Sequence, residues 1–130
     1  MRRRAREAVL RCLYRREFLP LSPEELLEEE DLGNEALFAE ELLKGVVEQG
    51  EEIDRIIDRR AEGWGLDRLA LVDRNILRLA LYELLHTDAP PEVVIDEAVE
   101  LAKTYGTEKA PAFINGILDR VWKEEKCEHS

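Results

Sequence analysis

Apolar residues recur along this chain at helical intervals, and nowhere do they alternate with polar ones over a run bounded by turns, so the pattern predicts an all-α protein. A first helix is expected from Arg3 to Phe18, with Ala5, Ala8, Val9, Cys12, Leu13 and Arg16 at i, i+3, i+4 spacing, the apolar stripe docked on the core and the arginines fanned over the outer faces. After Leu19-Pro20-Leu21, the run Ser22-Pro23-Glu24-Glu25 reads as a helix start. Ser22 is the N-cap, Pro23 takes the first helical position where its missing N–H is harmless, and Glu25 completes a capping box. The short helix that follows is acidic and reads as a solvated surface. Leu32-Gly33-Asn34 reopens the chain, with Asn34 as the cap of a third helix that carries Leu37, Phe38, Leu42, Leu43, Val46 and Val47. The pattern breaks near Gly50 and resumes at Ile53, Ile56 and Ile57, which predicts two helices meeting there.

Gly63-Trp64-Gly65-Leu66-Asp67 is the clearest internal break, with Asp67 available as a cap. From Ala70 to His86 apolar residues cover more than half of the helix circumference, which predicts the central helix of the core. Pro90 and Pro91 end it. Pro91 starts another helix with Val94, Ala98, Leu101 and Ala102 inward, closed by Gly106 as a left-handed cap after Tyr105. A last helix is expected from Pro111, burying Phe113 or Ile114 with Ile117, Leu118 and Val121, and fraying after Trp122. The total is a compact bundle of about seven helices, with no internal repeat.

At 130 residues the chain suits one domain, and no apolar run approaches the roughly 20 residues that cross a bilayer. No apolar segment of a signal peptide follows the basic start, which points to a cytoplasmic protein. The two cysteines agree: Cys12 sits among core positions and Cys127 in the polar tail, with neither a disulfide framework nor zinc-ligand spacing.

Enzymatic chemistry finds little support. The two histidines, His86 and His129, lie at a helix end and near the C-terminus, and there is no Gly-rich phosphate loop and no HExxH. Asp96, Glu97 and Glu100, or Glu40 and Glu41, lack the histidine that a helical di-metal site would add. No catalytic residue, metal or cofactor is therefore expected.

Charge is more telling. Arg2, Arg3, Arg4, Arg6, Arg11, Arg15 and Arg16 give the first sixteen residues a net +6 in a chain of net charge -11, leaving -17 on the other 114 residues. A local basic strip on an acidic body directs a polyanion to one surface and repels it elsewhere. With no recognition-helix motif for duplex DNA, single-stranded RNA fits better: guanidinium groups take phosphates, and Tyr14, Tyr105 and Phe113 could stack on bases.

Three stretches together carry a resemblance. They are Arg3-Arg4-Ala5-Arg6-Glu7 with Leu13-Tyr14; Val72-Asp73-Arg74-Asn75-Ile76-Leu77-Arg78 continuing to Tyr82-Glu83-Leu84; and Ile95-Asp96-Glu97-Ala98 with Phe113-Ile114-Asn115-Gly116. In this order, over nearly the whole chain, they resemble the NusB family of bacterial transcription antitermination factors. The resemblance implies two packed helical sub-bundles, here residues 1–66 and 67–126 with a tail at 127–130. It also implies a non-enzymatic role: binding boxA RNA of nascent transcripts, notably of ribosomal RNA operons, together with NusE, a small-subunit ribosomal protein, in an RNA polymerase antitermination complex. Some relatives form homodimers.

Carried over residue by residue, the resemblance assigns RNA binding to Arg3, Arg4 and Arg6, with Arg2 beside them, and to Tyr14, Phe113 and Asn115. It assigns part of the NusE surface to Asp73 and Glu83. Ala112 departs from the lysine common before the motif Phe, and Lys109, where some relatives have an acid, can supply a cation instead. Asn115 and Gly116 are open to a second reading, in which Asn115 braces a close helix contact permitted by Gly116. The alternative for the whole chain is a protein-interaction or homodimerisation module with no direct RNA contact.

Overall fold

The computed structural model describes residues 2–61 and 66–129, with side chains to Glu125. Among the described residues are seven α-helices and no strand: α1 (Arg3–Arg16), α2 (Pro23–Leu27), α3 (Ala36–Glu48), α4 (Gly50–Arg60), α5 (Leu71–His86), α6 (Pro91–Tyr105) and α7 (Ala110–His129). The all-α expectation holds, and α5 is its centre. It packs on α1, α3, α4, α6 and α7, and Ile76, Leu77 and Leu81 along it are fully buried. Each such side chain withdrawn from water contributes about 1.5–3 kcal/mol, which is why the most apolar stretch takes the middle. On one side α1, α2 and α3 pack together; on the other α6 and α7 pack on each other and on α5. Helix α4 lies against α5 and α7, and so ties the first half of the chain to the second.

The capping box at α2 forms as its sequence requires: the Glu25 N–H donates to Ser22 Oγ at 3.1 Å and the Ser22 N–H to Glu25 Oε1 at 2.9 Å. Helices α3 and α4 meet at Gln49 and Gly50. Helix α1 stops at Arg16, two residues short of the expected end, because Glu17 and Phe18 tighten into i to i+3 bonds with Tyr14 and Arg15. Cys12 is buried, and loss of hydration pushes its thiol up to about 11, the behaviour of a core residue.

Three expected caps are not made. Asn34 gives α3 no side-chain cap; a 3-10 turn at Gly33–Glu35, entered through Gly33 at φ 54°, runs straight into the helix. The neighbouring Glu35 instead accepts the Ala5 N–H at 3.3 Å and caps α1 across the fold. Asp67 sits in a second 3-10 turn, Leu66–Arg68, and Ala70 is the N-cap of α5; Gly63-Trp64-Gly65, the rest of that expected break, lies outside the described residues.

Gly106 is extended (φ -84°, ψ 177°), not left-handed. Space explains the glycine: a Cβ there would lie 2.8 Å from Ala102 O, 2.8 Å from Asp73 Oδ1 and 3.0 Å from Ala110 Cβ. Gly45 has the same reason, since a Cβ on it would overlap the Tyr82 ring where α3 crosses α5.

The last helix does not fray after Trp122 but continues to His129. Glu125 holds it: its carboxylate, buried in spite of the polar sequence around it, accepts from Arg59 at 2.9 Å and Arg60 at 2.8 Å, both on α4. Arg120 adds a bond to the Arg60 carbonyl at 2.8 Å.

Candidate nucleic-acid interface

Residues three or four apart on a helix share a face, and Arg3, Glu7, Arg11, Tyr14 and Phe18 form one such stripe along the outside of α1. From Arg3 to Phe18 the fifteen steps, at about 1.5 Å each, span roughly 22 Å. Arg2, Arg3, Arg4 and Arg11 are all exposed. Arg2 lies over the Phe38 ring at 4.2 Å. Arg3 grips Glu97 of α6 through two bonds of 3.1 and 3.2 Å, and Arg11 grips Glu30 at 2.8 and 3.4 Å. Arg4 donates to the Asp31 carbonyl at 2.8 Å. Arg15 bonds the Leu26 carbonyl and pairs with Glu29 at 3.0 Å, and Arg16 has neither ion pair nor side-chain hydrogen bond among the described residues.

These exposed pairs are weak. An ion pair in water is worth about 0–1 kcal/mol, and the Arg3 and Arg11 side chains are each 50% exposed, so a phosphate can reach the open side of either guanidinium while Glu97 and Glu30, 16% and 13% exposed, keep their bonds. The strip remains available to a polyanion, while its resting charge is partly balanced by Glu97 and Glu30.

Arg6 is different. It points inward from the same segment and donates from Nε and Nη2 to the two Glu83 oxygens, both at 2.8 Å, in a buried fork. Hydrogen bonding to Glu83 raises its affinity for the proton, against the opposing effect of burial. The structure therefore leaves Arg6 out of the exposed strip and makes it a tie between α1 and α5.

Asp73 and Glu83, expected on a partner surface, are both buried. Asp73 accepts the Thr107 N–H at 3.1 Å and the Thr107 hydroxyl at 2.7 Å, which pins the turn between α6 and α7 to the first turn of α5. Neither carboxylate faces solvent; each holds a junction beneath the surface.

The remaining site residues follow that turn. Lys109 and Asn115 are exposed, with no side-chain bond among the described residues, and Phe113 is half-buried against the core. Gly116 meets no atom within 4 Å of an added Cβ, so no helix contact needs it and Asn115 braces none. The end of α6 does reach α1: the Tyr105 hydroxyl donates to Glu7 at 2.7 Å, and that bond raises the Tyr105 pKa. No hydrogen bond or ion pair joins Lys109, Phe113 or Asn115 to α1 among the described residues.

Sequence reasoning missed Glu97 and Glu30 as internal partners of the strip, and Phe18, whose position four residues after Tyr14 was the available signal. Among the described residues no group of His, Cys, Asp and Glu is arranged to hold a metal ion, and no helix is long and apolar enough to cross a membrane.

The model of the NusB family matches residues 3–123. The transcription antitermination protein NusB of a Nitratiruptor species is 45% identical over 130 residues, an alignment covering 96% of this chain and 94% of that protein. Among solved structures, T. maritima NusB superposes with a TM-score of 0.88 at 47% identity, covering 95% of this chain and 92% of that one. A chain in the crystal structure of antitermination factors NusB and NusE in complex with dsRNA gives a TM-score of 0.81 at 34% identity, covering 94% of this chain and 96% of that one.

Proposed function

The chain belongs to the NusB family, and from that premise we propose that it is a transcription antitermination factor that binds boxA RNA of nascent transcripts together with NusE. The RNA and protein pair then joins RNA polymerase in the cytoplasm. The observation that carries this reading is the exposed strip of Arg2, Arg3 and Arg4 on a protein of net charge -11, continuing along α1 to Tyr14. A polyanion finds one attractive face there. The exposed Lys109 and the N-terminus of α7 add positive potential beyond the end of α6, where Tyr105 bonds Glu7 of α1, with Asn115 as a neutral polar group and Phe113 as a half-buried ring there.

Single-stranded RNA is favoured over a duplex because exposed aromatic rings have no access to stacked bases in a helix. Arg6 supports the surface from below through Glu83 and contacts no phosphate. Asp73 and Glu83 act on NusE in the same indirect way, by fixing the helices whose outer faces NusE meets.

The test is a titration with boxA RNA, scrambled RNA and boxA duplex, with and without NusE, at several salt concentrations. Sequence-dependent binding strengthened by NusE is expected. Each lost phosphate contact flattens the plot of log K against log salt by about 0.7 for a single strand, so Arg3→Ala with Arg4→Ala should lower the slope by about 1.4. Unchanged affinity and slope in that variant would remove the strip from the RNA site, and binding indifferent to ribonuclease would favour a protein-interaction module.

A further inference from the structure

Helix α1 ends in an uncovered aromatic pair. Phe18 is 62% exposed, Tyr14 43% and Leu19 44%, so three of the six exposed large apolar residues among those described gather at one helix end. The rings of Tyr14 and Phe18 meet edge to face, with centroids 5.4 Å apart and planes at 62°. The backbone beneath is fixed, since the Phe18 and Leu19 N–H groups both donate to the Arg15 carbonyl, at 3.0 and 2.9 Å. A phenyl ring held open on an ordered turn forgoes the burial that drives most aromatic side chains inward.

We infer that Phe18 is a second base-stacking residue, which carries the RNA path past Tyr14 to the end of α1. The inference rests on the RNA-binding reading above. Charge selects the occupant: Arg11 and Arg15, paired with Glu30 and Glu29, lie on the same face as the two rings, two turns and one turn back from Phe18, and Arg16, next to Arg15 in the chain, has no acidic partner among the described residues. Rings with arginines alongside also occur at protein interfaces, so what favours a nucleic-acid strand here is the net +6 of the first sixteen residues, which draws a polyanion to this helix. The geometry also describes the path. With planes at 62°, the rings cannot stack on one base, so bases stacked on each are inclined to one another and the strand turns between them.

The test uses the chain with NusE and the same single-stranded boxA RNA as for the arginine variants. Phe18→Ala should weaken binding roughly tenfold, the order carried by one base stacked on an aromatic ring. The salt slope should stay unchanged, because no phosphate contact is lost. Phe18→Trp should restore affinity, and Phe18→Leu, equally apolar but without a π face, should not. Full affinity in Phe18→Ala while Arg3→Ala with Arg4→Ala weakens binding overturns this inference and leaves the function standing. Full affinity in both sets overturns the function itself. Rescue by Phe18→Leu, or a loss confined to NusE association, would make the patch a protein contact and also overturn the inference.

Discussion

Replacing Glu83 by Gln changes almost no volume and yet should be among the most damaging single substitutions in this protein. The side chains of Arg6 and Glu83 are only 10% and 4% exposed, and they meet in a two-bond fork with both distances at 2.8 Å. In Glu83→Gln the amide can still accept one of these bonds, but its NH2 faces the other guanidinium N–H, donor against donor. The Arg6 charge is left in a site with little water and no ion-pair partner in contact, with only the coulombic effect of Glu97 remaining. Breaking a buried pair from one side costs about 3–5 kcal/mol, a large share of the roughly 5–15 kcal/mol that stabilises a domain of this size. With an m-value near 2 kcal/mol/M, the urea midpoint should fall by about 1.5–2.5 M at unchanged m.

The partner experiment separates a buried tie from an RNA contact. Arg6→Met with Glu83→Leu removes both charges and fills the space with apolar atoms, so it should recover most of the lost stability. If Arg6 takes no phosphate, the double variant should also keep the salt slope of RNA binding. A midpoint shift below about 0.5 M for Glu83→Gln would mean that water reaches the pair and that the buried-charge argument fails. A double variant as unstable as the single one would refute the claim that the uncompensated charge is what costs.

Three further outcomes follow from the same structure. Burial tends to raise the Glu125 carboxyl, but hydrogen bonds and charge from Arg59 and Arg60 outweigh it and hold the group below the ordinary carboxylate range. A depressed folded-state pKa stabilises above the unfolded value of about 4.3 and loses that contribution as pH falls through the folded value. The stability gap between wild type and Glu125→Gln should thus be constant from pH 7 to about 5.5 and shrink in more acid solution; a gap independent of pH down to unfolding would contradict it. Gly45→Ala drives a methyl into the Tyr82 ring and should cost about 1–3 kcal/mol in chemical denaturation, partly recovered by adding Tyr82→Leu. Gly116→Ala meets open space within a helix and should instead raise stability by up to about 1 kcal/mol; a fall would mean that something packs on that position.

Helix existence was legible throughout, because a 3.6-residue apolar period survives whatever packs against it, and the Ser22 to Glu25 capping box was legible because all of its partners lie within four residues. What failed was tertiary in origin. Nothing local to Asn34 says that Glu35 will be spent on the far end of α1. Nothing near Gly106 says that its small size serves Asp73, thirty-three positions earlier, and not a left-handed turn. The polar composition after Trp122 suggests fraying only until Arg59 and Arg60 are placed beside Glu125.

The burial of Arg6 left a trace in the sequence that its arginine-rich neighbours obscured. It lies three residues before Val9, four before Leu10 and seven before Leu13, all of which are buried, so its position belongs to the inward stripe of α1. Glu83 likewise lies seven residues after Ile76, four after Leu79 and three after Ala80, on the inward stripe of α5. One cation and one anion on the apolar faces of two helices must either meet or leave the core, since each alone would strand a charge. Arg3 is followed at four-residue steps by Glu7 and Arg11, a polar stripe, and the same residue type there faces water. Position relative to the apolar stripe, and not membership of the arginine run, is what divides the tie from the strip.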